Sequence, residues 1–319
     1  MKLKDIQELF TQEGIEADPR GKKVVELCML ERKKQYDDLS AKKKENYDID
    51  SLKNPYYDSR ILYGDENIEV GTIMVGIDIE SSELLLAKQL MNAGTKIDLV
   101  ITHHPEGHAY STFYGVMEMH VDTLNKQGIP INITDKIVSE RIKEVQRNVL
   151  PQNTERAYDT AKLLNIPFMT AHTVADNHVT SFLQKKVDEL NPVYLREIIE
   201  MLNGCPEYKH ATKVGHPPLI LNGSDNSRCG KVFVDMTGGT ELPIEAFEKL
   251  EAAGVGTMVG MHLSPKCVNE AEKHHINIVV AGHISSDNLG LNLLFDKLES
   301  KCLEKLKFIE CSGFRRYKR

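Results

Sequence analysis

The chain has no Cys-x-x-Cys pair; its six cysteines, Cys28, Cys205, Cys229, Cys267, Cys302 and Cys311, are dispersed along 319 residues. Neither a zinc ribbon nor a disulfide framework is indicated, and the thiols read as reduced and structural. No stretch approaches the ~18 apolar residues needed to span a bilayer. Met1-Lys2-Leu3-Lys4-Asp5 leads into an amphipathic pattern and not into a signal-peptide core, so the expectation is a cytoplasmic protein with no membrane partner. Positive charge is not in excess either. A net charge of −7 gives nucleic acid no general electrostatic reason to bind, and the local basic run Arg315, Arg316, Lys318 and Arg319 reads as a solvated tail. A phosphate-binding glycine fingerprint is also missing. Thr237-Gly238-Gly239-Thr240 lacks the spacing of a P-loop or a dinucleotide motif, and reads as a plain strand-to-helix turn.

What remains is ordinary for a cored protein of about two domains, with 41% hydrophobic and 27% charged residues. Residues 1–66 are helical and highly charged, with apolar positions Leu3, Ile6, Leu9 and Phe10 at helical spacing. They read as an arm that packs onto the body or onto a neighbouring subunit, and they hold no candidate ligand. From Val70 the pattern changes to strand, helix, strand: Gly71 to Asp78, Ser81 to Asn92, and Ile97 to Thr102. The same order returns at Gly256 to His262, a helix around Val268 to Lys273, and Ile276 to His283. GTIMVGID set against GTMVGMH, and IDLVITHH against INIVVAGH, suggest a weak internal repeat that puts His104 and His283 at equivalent strand ends. Chance similarity is the competing reading, because buried strands draw on few residue types. The fold class is α/β: two related, interleaved halves with mixed sheets, a helical insertion and a helical N-terminal arm. The expected segments are the arm 1–66, a first half 67–180, the insertion 181–222 and a second half 223–319.

The chemistry gathers where strands end. Ile97-Asp98-Leu99-Val100-Ile101-Thr102 is an almost continuous apolar run that stops at His103-His104-Pro105, and ligands in α/β sheets collect at the carboxyl ends of strands. Adjacent side chains on a regular strand diverge, so both imidazoles reach one site only if the backbone turns there, as Pro105 suggests. The alternative is one packed and one solvated histidine. Other strand exits add Asp176, His283 and Asp287. Three imidazoles and two carboxylates suit two divalent transition ions, zinc, iron or manganese, better than calcium or magnesium, which prefer oxygen shells.

Three stretches then carry a resemblance: Asp98-Leu99-Val100-Ile101-Thr102-His103-His104-Pro105, Thr170-Ala171-His172-Thr173-Val174-Ala175-Asp176 and Ala281-Gly282-His283-Ile284-Ser285-Ser286-Asp287. Together, in this order, they resemble the signatures of the NGG-one-interacting-factor-three-like family of dinuclear-metal hexameric proteins, across roughly residues 67–310. The resemblance implies that His103, His104, Asp176, His283 and Asp287 are the metal ligands, with the last acid bridging. It also implies that His103 pairs with His283, that His104 pairs with Asp176, and that the chain forms a ring-like homo-hexamer. The family usually has Glu at Asp287, Asn-Leu at Val174-Ala175 and an aromatic residue at Ile284. Some members carry the label type 2 GTP cyclohydrolase I; no cysteine lies near these motifs, which counts against that activity here.

A metal pair with open positions points to a hydrolase of phosphoester or cyclic amide bonds, its small-molecule substrate unassigned. His172, His178 and His262 are the candidates to orient water or protonate a leaving group. His108 is a further candidate to face substrate, or else a surface histidine. The competing class is non-catalytic: metal storage, delivery or sensing, or a partner-binding protein with structural metals.

Overall fold

The computed structural model of the chain describes residues 1–303 and 305–319. Its strands are β1 (Ile61–Tyr63), β2 (Thr72–Gly76), β3 (Leu99–Thr102), β4 (Phe168–Thr170), β5 (Leu219–Asn222), β6 (Lys231–Asp235), β7 (Val255–Gly260), β8 (Asn277–Val280) and β9 (Lys307–Glu310). They form a five-stranded sheet of order β1-β4-β3-β2-β9 and a four-stranded sheet of order β5-β8-β7-β6. In the first, β2, β3 and β4 run parallel and β1 pairs antiparallel with β4 across a register shift. In the second, β6, β7 and β8 run parallel and β5 pairs antiparallel with β8, again across a register shift.

The two sheets therefore repeat one plan, and the internal repeat is one of topology. Its assignment needs correcting by one strand: β2 corresponds to β6, β3 to β7 and β4 to β8. Apolar, β-branched runs look alike on any buried parallel strand, so a local match slides easily from one strand to the next. The ladder ends fix the correspondence. Gly76 faces Thr102 as Asp235 faces Gly260, and the Ala171 amide donates to the Thr102 carbonyl as the Ala281 amide donates to that of Gly260. His104 thus corresponds to His262, and the turn bearing His172 corresponds to the turn bearing His283.

The helices Thr173–Leu190 and His283–Lys301 fill the middle layer. Val174, Ala175, Leu291, Leu294 and Phe295 pack with Ile73, Val75, Leu99 and Ile101 of the first sheet. Val179, Leu183, Val187 and Leu289 pack with Val234, Val259 and Val279 of the second. Apolar demand on both faces explains why Thr173 to Thr180 is buried without a break, where an amphipathic surface helix would alternate.

The first sheet takes β1 from the segment expected as the arm and β9 from the segment expected as the second half. The second sheet takes β5 from the expected insertion. The N-terminal helix Leu3–Glu16 places fully buried Leu3, Ile6 and Phe10 in the main core, at roughly 1.5–3 kcal/mol of burial for each side chain. It packs onto its own body. The basic tail is solvated only in part: Arg315 and Lys318 stand exposed, whereas Arg316 reaches Asp296 at 2.5 Å and Glu299 at 2.6 Å, and Arg319 reaches Glu207 at 2.6 Å. Acids on the last helix and on the helix Pro206–Lys213 draw it down. All six cysteines are free, and among the described residues no helix is long and apolar enough to cross a membrane.

Candidate metal centre

The chain bends directly after β3, as a tandem histidine pair at one site requires. The His103 amide donates to the Gly76 carbonyl and the His104 amide to that of Ile77, while the Thr102 hydroxyl lies 3.0 Å from the His104 carbonyl and 3.2 Å from that of Ile77. The two rings consequently stand 5.3 Å apart, centroid to centroid. His103 donates Nδ1–H to the Ala171 carbonyl at 3.0 Å, and His104 donates Nδ1–H to Asp78 at 2.6 Å. Each Nε2 is left for the site, with its tautomer fixed from behind as in metal-ligating histidines.

The other groups come from two equivalent helix starts. His172 precedes the helix Thr173–Leu190 and Asp176 lies in its first turn; His283 opens the helix His283–Lys301 and Asp287 lies one turn on. Spacing of i to i+4 puts each histidine and its acid on one face. The second motif has one extra residue before it, Gly282, whose φ of 110° is a conformation that suits glycine.

The site divides between the halves. His103 Nε2 is 3.4 Å from Asp176 Oδ1, and His172 Nε2 is 3.6 Å from Asp176 Oδ2. His104 Nε2 is 3.3 Å from His283 Nε2. The side chains stand in a different arrangement from the pairing that the family resemblance implies: His103 lies beside Asp176 and His104 beside His283. Asp287 lies between the groups, with Oδ1 at 3.5 Å from His103 Nε2 and Oδ2 at 3.5 Å from His104 Nε2 and 3.7 Å from His283 Nε2. His103, His172 and Asp176, and likewise His103, His104 and Asp287, each present donors within 4.8 Å of one another.

These residues fit a bound cation. His103 Nε2, Asp176 Oδ1 and both Asp287 oxygens are buried without a hydrogen-bond partner. An orphaned buried polar atom costs roughly 1–3 kcal/mol, and more when charged. Four such atoms at one point are what a metal would relieve, and the imidazole–carboxylate set suits a transition ion. Burial pushes the His103 imidazole down, but the Asp287 and Asp176 carboxylates outweigh it and raise its pKa well above the ordinary value. His172 behaves likewise: burial is outweighed by Asp176 and Asp58. Burial dominates at His283 and lowers it, whereas Asp287 falls to about 2 because the surrounding imidazoles, His103 foremost, overcome its burial.

Of the other histidines singled out in the sequence, His172 and His262 stand at the site and His178 does not. The His262 ring lies 4.6 Å from that of His283, and its Nδ1 is 3.6 Å from Glu241. His178 is two residues past Asp176, about 200° round the helix, and it is buried on another face where burial pushes it down to about 4. His108 is exposed and turned to Asp48 at 3.6 Å, away from the centre. Three supporting acids escaped the sequence reading. Asp58, fully buried, accepts His172 Nδ1–H at 2.8 Å and the Thr173 hydroxyl at 2.7 Å; nothing in its loop marks it. Asp78 follows β2 just as His104 follows β3, so the strand-exit rule would have found it. Glu241 follows the Gly238-Gly239 turn, accepts the Ser264 amide and is held at about 2 by hydrogen bonds from His262, Ser264 and Cys267 despite its burial.

No family model and no curated protein matches the sequence, but solved structures do. A NIF3 superfamily protein from Sphaerobacter thermophilus is 26% identical, with a TM-score of 0.69 over 81% of this chain and 91% of that one. Reduced HcgD from Methanocaldococcus jannaschii is 17% identical, with a TM-score of 0.49 over 79% of this chain and 88% of that one. TTHA1606 from Thermus thermophilus is 14% identical, with a TM-score of 0.46 over 82% of this chain and 90% of that one. The Sphaerobacter likeness is the one with weight. In fold and sequence the chain is similar to NIF3 superfamily proteins, the family that its three signature stretches resemble.

Proposed function

We propose that this chain holds two divalent transition ions of the zinc, iron or manganese type and acts as a metal-dependent hydrolase of phosphoester or cyclic amide bonds. One ion would lie among His103, His172 and Asp176, the other between His104 and His283, with Asp287 shared. The observation that carries the reading is the convergence of four orphaned buried atoms on His103, Asp176 and Asp287. Such ions, when bound, supply Lewis-acid polarisation of a phosphoryl or carbonyl oxygen and activation of water.

The protein's own groups do the rest. Asp58 and Asp78 orient His172 and His104 from behind. His262, held at Nδ1 by Glu241, keeps Nε2 free to orient water or to protonate a leaving group. The chamber bounded by His172, Asp176, Asp235, His262 and His283 is only about 70 Å³, which admits a few waters or a reacting group. The family resemblance also supports a homo-hexamer, which mass measurement in solution would test.

The functional test is a screen of the stripped and reloaded chain against phosphoesters, cyclic nucleotides and amides. Turnover that requires metal and disappears in Asp287→Asn is expected. Stoichiometric metal with no turnover on any class would leave storage or delivery as the function.

A further inference from the structure

Met261, His262 and His283 border two spaces at once, the inner chamber of about 70 Å³ and an outer groove of about 720 Å³. The size difference decides where a substrate can lie. Sites for organic ligands occupy roughly 300–1,000 Å³, so the chamber admits only a reacting group and the body of the molecule must rest in the groove. Large apolar side chains stand in solvent along it: Val214 is 57% exposed, Leu219 51% and Ile284 43%. Exposed apolar surface gathered beside a polar centre marks a binding site more often than it marks chance.

Charge along the groove is equally one-sided. The Arg315 side chain is 46% exposed, its Nη1 donates to the Phe314 carbonyl, and its Nε stands 4.0 Å from Glu310, the limit of an ion pair. A guanidinium has five N–H donors, so several remain for a ligand. Glu207 also lines the groove, but its oxygens are committed to Asn292 at 3.1 Å and Arg319 at 2.6 Å. Tyr317, brought there by the docked tail, adds an aromatic face 6.4 Å from the His210 ring. The groove thus offers an apolar floor, aromatic edges and one uncommitted cation.

We infer that this groove binds the body of a small anionic substrate: an apolar or aromatic core lying over Leu219 and Ile284, its scissile bond at His283 and a separate carboxylate, sulfonate or phosphate at Arg315. The assignment rests on the hydrolase reading, since it takes the His283 end as the reacting end. Arg315 and Leu219 are then specificity residues.

The test uses the full chain loaded with zinc and two probes, 2-naphthalenesulfonate for the groove and inorganic phosphate for the metal pair, each titrated calorimetrically. Naphthalenesulfonate should bind, at least tenfold more weakly to Arg315→Gln and to Leu219→Asp, while both variants keep the parent's zinc content and circular dichroism. Absent naphthalenesulfonate binding, or binding indifferent to Arg315→Gln, overturns the inference. So does a Leu219→Asp chain that changes its mass in solution without changing probe affinity, because the face is then a subunit contact. Failure of phosphate to bind while naphthalenesulfonate still obeys Arg315 overturns the metal reading and upholds the groove.

Discussion

A Cβ placed on Gly290 would lie 2.5 Å from the carbonyl oxygen of Ala175, so the helices bearing Asp287 and Asp176 cross with their backbones in contact. This crossing is what brings the two equivalent helix starts to one point. Gly290→Ala must push the helices apart, at about 1–3 kcal/mol for an overpacked core. A melting temperature lowered by several degrees, together with weaker metal uptake, is expected from thermal denaturation and metal titration. A variant that melts and loads like the parent would mean that the contact is looser than this geometry.

The loop after the N-terminal helices belongs to the site through Asp58. Removing it in Asp58→Ala frees the His172 ring and leaves the other group untouched. Loss of a partner that orients a metal ligand typically costs 10–100-fold in affinity. One of two ions should therefore leave at lower chelator concentration, with the second retained. A chain starting near Asp65 would also lose Leu3, Ile6 and Phe10 from the core, and we expect it neither to hold metal nor to stay soluble. Chelator titration with elemental analysis distinguishes these outcomes; simultaneous release of both ions from Asp58→Ala would contradict the division of ligands.

Acid stability should carry the mark of His120. Its ring is fully buried, donates Nε2–H to the Thr237 carbonyl at 3.0 Å, and is pushed by burial down to about 4. Between about pH 6.5 and 4 the unfolded chain takes a proton that the folded ring refuses, so this contribution is present above pH 6.5 and is lost as pH falls through that window. It amounts to about 3 kcal/mol at most. His103 and His172, whose values are raised, act in the opposite sense, so the comparison needs a variant. Urea unfolding of metal-free protein should show His120→Gln losing less stability than the parent as pH falls through this window; parallel curves would remove His120 as the cause.

Much of this was legible because the chemistry sits where strands stop. The apolar run into His103-His104 and the His-x-x-x-Asp spacings of His172 and His283 mark the site without any knowledge of contacts. The helix Ser81–Asn92 likewise follows from its own apolar spacing and the Gly94 stop. Partnership across the sheets was not legible. Which strand of one half matches which of the other depends on pairing order, and strands such as β3 and β8 are chemically near-identical. Asp58 and Glu241 act through side chains that meet residues 114 and 21 positions away, and no local pattern announces that. The basic tail failed for the same reason: its fate depends on Glu207, Asp296 and Glu299, whose positions only the fold reveals.

The shared carboxylate is the point on which the metal reading turns. Asp287 is fully buried and sends one oxygen to each group, so neutralising it should cost both ions, whereas a change at His172 or His283 should cost one. The direct measurement is elemental analysis of the stripped, reloaded and desalted chain beside Asp287→Asn, with folding checked by circular dichroism. Two transition ions per parent chain and close to none in a folded Asp287→Asn are predicted; one ion or none in the parent, or two retained by the variant, would contradict a dinuclear centre bridged by Asp287.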